Sequence, residues 1–163
     1  MCIRDRSGTL TFNPGITSQT VSITIVQDTI DEAHETFDVV LSNSANATIS
    51  DATGVMTITD DETTPSLSIA DASTTDETAA NLTATVTLSG QSSSTVTVDY
   101  ATSDSTASAA ADYTNTSGTL TFNPGDTSQT FNIPILADTI DENNETFSVT
   151  LSSPTNATIN DLL

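Results

Sequence analysis

Residues 7–51 and 117–161 are two copies of one stretch of sequence, set at a constant offset of 110 positions with 31 identities in 45. "SGTLTFNPG" opens both, and "TSQT", "DTIDE" and "NATI" follow in the same order. A period near 110 is too long for helical solenoid repeats and fits tandem domains of sandwich size. Residues 7–62 then read as the C-terminal half of a first domain, and 63–163 as a second. After "NATISD" the first copy continues with "ATGVMTITDDE", whereas the second has only Leu162 and Leu163 after "NATIND". The second copy is therefore expected to lack its last strand, leaving an open sheet edge. The join, "DDETTPS" at 60–66, has the acid, Thr and Pro content of a short linker.

Within each copy the apolar residues recur every second position. Leu10 and Phe12 alternate with Thr, and Val21, Ile23 and Ile25 alternate with Ser and Thr. Phe37, Val39 and Leu41 follow, then Met56 and Ile58. The second copy begins earlier, with Leu67 and Ile69, then Leu82, Ala84, Val86 and Leu88, then Val96, Val98 and Tyr100. It goes on through Leu120 and Phe122, Phe131, Ile133 and Ile135, and Phe147, Val149 and Leu151. Period-2 alternation rich in β-branched residues predicts strands with one buried face. "NPG" at 13–15 and 123–125 predicts turns, with Pro fixing φ and Gly free to take a positive one. Pro134 removes a ladder donor, so its strand is expected at an edge or a bulge. About seven short strands in about 100 residues make an all-β chain, a two-layer antiparallel sandwich.

Charge narrows the function. The chain of 163 residues has 22 acidic and 2 basic residues, a formal charge of -20. Nucleic acid and anionic membrane surfaces both need Lys and Arg, so neither is an expected partner. No run of 18 apolar residues is present, so no direct membrane insertion is expected of this segment. Disorder, the other reading of a polar acidic chain, is excluded by the periodic apolar residues. Residues 1–6, "MCIRDR", hold both Arg and the single Cys. Their back-translation resembles a transposon end used to prepare sequencing libraries, and they read as a sequencing-adaptor artefact outside the fold. The remainder has no Cys and cannot rely on disulfides or thiolate metal sites.

"DTIDEAHETF" (28–37) and "DTIDENNETF" (138–147) each place four carboxylates in eight positions with no Lys or Arg among them. Like charges about 4 Å apart repel by about 1 kcal/mol in water and about 4 at an effective dielectric of 20. Such a loop splays apart or takes a cation. Calcium accepts 6–8 oxygen ligands in irregular loops, magnesium demands tighter geometry, and transition metals prefer nitrogen or sulfur. The competing reading is a solvated acidic loop that protects sandwich edges, with Asp31 and Asp141 in any case facing water. His34 is the single His, and Asn144 replaces it in the second copy, which argues against a Ser–His–Asp triad. Glycoside hydrolysis needs a cleft and aromatic platforms, and Trp is absent. No enzymatic activity is expected.

The run "ADYT…SGTLTFNPGDTSQTFNIPILADTIDENNETFSVTLSSPTNATI" resembles the Calx-beta domain, as does the first copy through "GVMTITDDE". The resemblance implies an immunoglobulin-like sandwich whose carboxylates bind calcium at one end. It occurs in the cytoplasmic regulatory loop of sodium/calcium exchangers, in matrix and adhesion proteins, and in large bacterial surface proteins. Carried across, it implies as calcium ligands Glu77, Asp112, Asp138, Glu142 and Glu145 in the second copy. In the first it implies Asp28, Glu32, Glu35, Asp60 and Asp61. Glu62 stands where relatives often carry a third Asp, and Gln27 and Ala137 replace a common acid.

These readings lead to an expected function. It is a calcium-binding, non-enzymatic extender module of a large repetitive adhesin-like protein, at the cell surface or secreted, and bacterial. Its expected partners are calcium ions and neighbouring copies in cis, with ions near the domain junction stiffening the linker. The alternatives are a regulatory calcium sensor of a membrane transporter or receptor, and a metal-free adhesion or spacer module.

Overall fold

A computed structural model describes residues 7–74, 80–138 and 142–160. Its strands, in chain order, are β1 (Ile30–Asp31), β2 (Glu35–Val40), β3 (Thr53–Ile58), β4 (Ser66–Ile69), β5 (Asn81–Leu88) and β6 (Gln91–Ser92). They continue with β7 (Val96–Asp104), β8 (Ser117–Phe122), β9 (Ser128–Pro134), β10 (Phe147–Thr155) and β11 (Thr158–Ile159). No helix among the described residues is long and apolar enough to cross a membrane.

The second copy builds the sandwich. One sheet has the order β11-β4-β5-β9 and the other β10-β7-β8, antiparallel except where β11 runs parallel to β4. The alternating residues meet between them. Leu67, Val86 and Ile133 from one sheet and Val96, Val98 and Phe122 from the other are fully buried. Each such side chain contributes about 1.5–3 kcal/mol of transfer free energy, so these positions dominate the stability of the domain. Every buried side-chain nitrogen and oxygen among the described residues has a hydrogen-bond partner.

Turn chemistry behaves as the sequence predicts. In both "NPG" turns the glycine takes φ +88°, and the Asn13 and Asn123 carbonyls accept the amides of Ile16 and Asp126 at 2.9 Å. Pro before a left-handed Gly is the type II pattern. Asn46 and Asn156, equivalent by the repeat, also share positive φ, at 60° and 56°. Pro134 closes β9, an edge strand, where its missing N–H breaks no ladder bond.

The first copy departs from expectation. β2 and β3 pair antiparallel over six residues, but no strand forms between residues 7 and 29. Phe12 and Ile23 are 54% and 43% exposed, while their equivalents Phe122 and Ile133 are 0% and 1% exposed. The reason lies in pairing. β8 bonds to β7 and β9 bonds to β5, and both partners lie N-terminal to the repeated stretch. Residues 7–26 have no such partner among the described residues. Val21, Ile23, Ile25, Phe37, Met56 and Ile58 instead line an open apolar cleft of about 410 Å³.

The two copies touch through a small parallel pairing, Ile30–Asp31 of β1 with Gln91–Ser92 of β6. The Ser92 hydroxyl, itself buried, donates to the Asp31 carboxylate at 3.4 Å. Asp31 was expected to face water. Instead it is half-buried against the second copy.

Candidate metal centre

Antiparallel pairing brings the ends of β7 and β9 and the start of β10 to one tip of the sandwich, where Asp104 is opposite Phe147. The segment 105–116 leaves β7 there and folds tightly. The Asp112 amide donates to the Ser108 carbonyl at 3.0 Å, the Ser108 amide donates to Asp112 Oδ2 at 2.6 Å, and the Leu136 amide donates to the Asp112 carbonyl at 2.9 Å. Asp112 is thereby fixed at its backbone and at one carboxylate oxygen.

Asp112, Glu142 and Glu145 each offer a carboxylate oxygen, and these three oxygens lie within 4.8 Å of one another. Calcium–oxygen bonds of about 2.3–2.6 Å put ligands on opposite sides of one ion about 5 Å apart. Three oxygens at this spacing therefore fit a single calcium, with carbonyls or water completing the shell. Asp112 is half-buried and the two glutamates are exposed, so the site opens to solvent. Asp138, two residues beyond Leu136, is exposed and stands outside this group of three. Glu77 and Asp141 lie outside the described residues.

The first copy holds its acids differently. Asp28, Glu32, Glu35, Asp60, Asp61 and Glu62 line a narrow cleft of about 30 Å³. Several of their oxygens already serve local donors. Asp28 Oδ1 accepts the Ile30 amide at 3.0 Å, Asp60 Oδ2 accepts the Glu32 amide at 3.1 Å, and Asp61 Oδ2 accepts the Gln27 side-chain amide at 3.4 Å. Among the described residues no three carboxylates here come as close as those of the second copy. The crowding still shows at Glu62. Loss of solvent, then the charges of Asp61 and Asp60, hold its carboxyl above the usual range. His34 Nδ1 accepts the Asp60 amide at 3.1 Å, so this histidine secures the cleft wall.

Asp104 was not among the residues expected at the site. Its Oδ1 accepts the Tyr113 hydroxyl at 2.6 Å and the Ala109 amide at 2.9 Å. These bonds hold its carboxyl below the ordinary range. Tyr113 is buried, and loss of solvent together with the neighbouring Asp104 raises its phenol, which stays a proton donor. A lone Asp at the end of a polar strand gives no sequence signal of this kind.

The family model of the Calx-beta domain matches residues 4–62 and again 59–163. The chain belongs to the Calx-beta family. Among curated proteins, sodium/calcium exchanger 1 of Mus musculus is 47% identical over 64 residues, covering 39% of this chain and 7% of the exchanger. Sodium/calcium exchanger 3 of Homo sapiens is 45% identical over the same length and shares. The aligned region is thus a small fraction of these relatives. Among solved structures, the apo-form Calx CBD1 domain superposes with a TM-score of 0.50 at 32% identity, covering 52% of this chain and 75% of that one. CBD12 from CALX1.2 gives 0.51 at 31% identity, covering 53% and 36%. The all-β, immunoglobulin-like sandwich with tandem Calx-beta repeats stands.

The matches also correct one expectation. A secreted or cell-surface setting is overturned, because curated relatives that match are mammalian sodium/calcium exchangers, and these matches do not support the expected bacterial origin. In the Calx-beta resemblance, the exchanger copies belong to a cytoplasmic loop. Composition cannot make this distinction, since an acidic, Lys-poor sandwich suits either side of a membrane.

Proposed function

We propose that this chain is a non-catalytic, calcium-binding regulatory module of a membrane transporter, built from the C-terminal half of one Calx-beta domain at 7–62 and a second Calx-beta domain at 63–163. The observation that carries this reading is the convergence of Asp112, Glu142 and Glu145 on one point at calcium–ligand spacing. These three would hold the ion in the second copy, with Asp138 and Glu77 as further donors. Asp28, Glu32, Glu35, Asp60 and Asp61 would serve the first copy. The ion supplies positive charge that the chain lacks. Occupancy neutralises repulsion within each acidic cluster, and removal restores it, so calcium concentration becomes a conformational signal. The likeness to exchangers favours this regulatory role over an extender in a repetitive surface protein.

Thermal unfolding of the whole chain, with millimolar calcium against chelator, tests the reading. Stabilisation by calcium that disappears in a Glu142→Gln/Glu145→Gln variant supports it. A melting curve indifferent to calcium rejects it. Flanking sequence separates the two roles: neighbouring membrane helices support the regulatory module, and long runs of further copies support the extender.

A further inference from the structure

We infer that Asp104 and Tyr113 form a positioning pair that presets the Asp112 carboxylate for its ion without either residue touching that ion. The inference rests on the calcium reading above. Asp104 lies outside the group of three carboxylates, yet its Oδ1 holds two points of the turn that carries Asp112. One is the Ala109 amide, adjacent to Ser108, whose own amide grips Asp112 Oδ2. The other is the hydroxyl of Tyr113, the residue after Asp112. The Tyr113 carbonyl closes the same turn by accepting, at 2.8 Å, the amide of Ala110, itself held at φ +72°.

Tyr113 also reaches the second arm of the site. Its ring stacks on Phe147 with centroids 4.3 Å apart and planes 16° from parallel. Phe147 begins β10, two residues after Glu145. Between them the Thr146 amide donates to Thr106 Oγ1 at 2.7 Å, and the Ala107 amide donates to the Thr146 carbonyl at 2.9 Å. The turn carrying Asp112 and the segment carrying Glu145 are therefore fastened to each other beneath the carboxylates. Outer groups that fix ligand orientation typically change metal affinity about 10–100-fold when removed.

Calcium calorimetry on the whole chain tests this with Tyr113→Phe, Asp104→Ala and Asp104→Asn. Tyr113→Phe keeps the ring on Phe147 and removes only the hydroxyl. Asp104→Asn keeps an oxygen acceptor for both donors and removes only the charge. The expected result is affinity weakened about tenfold or more in Tyr113→Phe and Asp104→Ala, and restored to within about threefold by Asp104→Asn. Asn as damaging as Ala overturns the inference, because the charge of Asp104 would then act directly. Unchanged affinity in both Tyr113→Phe and Asp104→Ala also overturns it. Amide exchange in calcium-free protein keeps the two readings apart. A wild-type chain that gives no calcium heat defeats the calcium reading, and the pairing is then judged by exchange alone. Faster exchange at Ser108 and Ala109 in Tyr113→Phe supports it, and unaltered protection overturns it.

Discussion

Ser93 donates twice to the carbonyl oxygen of Asp31, through its amide at 3.0 Å and its hydroxyl at 3.1 Å. This bond crosses from the second copy to the acidic loop of the first. Together with the Ser92 hydroxyl on the Asp31 carboxylate, it ties that loop to the turn between β5 and β7. A double variant, Ser92→Ala/Ser93→Ala, is expected to leave the sandwich folded while loosening the join. A glutamate-specific protease should then cut at Glu62 several-fold faster, read by the rate at which the two fragments appear.

Calcium should shift stability by mass action. At free calcium about 100 times Kd, one site adds about 2.7 kcal/mol, and for a chain of this size each kcal/mol moves Tm by about 2–4 °C. The midpoint should therefore rise by several degrees between chelator and saturating calcium. Glu145→Gln should remove most of that rise. Calorimetric scans at matched ionic strength check this, with sodium chloride controlling for general screening.

The depressed Asp104 carboxyl sets a direction for acid. A group whose folded pKa lies below its unfolded value contributes stability above the unfolded value, and that contribution fades as pH falls through the folded one. The wild-type chain should lose this contribution below about pH 4, near the usual carboxylate value. Asp104→Asn should show a shallower fall of Tm over the same acid range, since its side chain does not titrate.

Glu62 runs the opposite way. Its carboxyl is raised by lost solvent and by Asp61 and Asp60, so the folded junction loses stability as pH rises above the unfolded value, and the penalty is complete once pH passes the folded pKa. In chelator at neutral pH, Glu62→Gln is expected to raise Tm by about 1–2 °C, the scale of a surface substitution. The gain should vanish at acid pH, where the wild-type carboxyl is itself neutral.

One pair of equivalent residues measures how much each copy is packed. Phe122→Ala empties a fully buried position and should cost about 3–5 kcal/mol. Phe12→Ala, at the same point of the repeat but 54% exposed, should cost less than about 0.5 kcal/mol. Urea titrations of the two variants make the comparison. Gly118→Ala adds an independent check, since a Cβ there would stand 2.9 Å from the Tyr100 hydroxyl. The Tyr100 ring stacks on Phe131 at 3.8 Å, so shifting it should cost about 1–3 kcal/mol.

The sandwich was legible because its signal is local. Alternation places Ala84, Val86 and Leu88, and Phe131 and Ile133, on one face of their strands, and those residues meet in the core. The "NPG" turns and the edge position of Pro134 follow from backbone chemistry that needs no tertiary context. What failed needed that context. Leu10 to Ile25 carry the same alternation as Leu120 to Ile135, yet a strand exists only where another supplies its hydrogen bonds. The site divides the same way. A repeated run of acids identifies Glu142 and Glu145, and the Calx-beta resemblance adds Asp112. Asp104 and the Asp31 contact arise from pairings between residues distant in sequence or set by loop geometry, which no period announces.

The first copy's acidic loop rests against Ser92 and Ser93, at the tip of the second copy remote from Asp112. β5 and β9 span the distance between those tips, and eight extended residues cover about 26 Å. That exceeds twice the Debye length of about 8–10 Å in ordinary salt. Electrostatics alone cannot make one cluster sense whether the other is filled. Titrations should therefore follow independent isotherms with a Hill coefficient near one, and any cooperativity would be a mechanical signal carried along the strands.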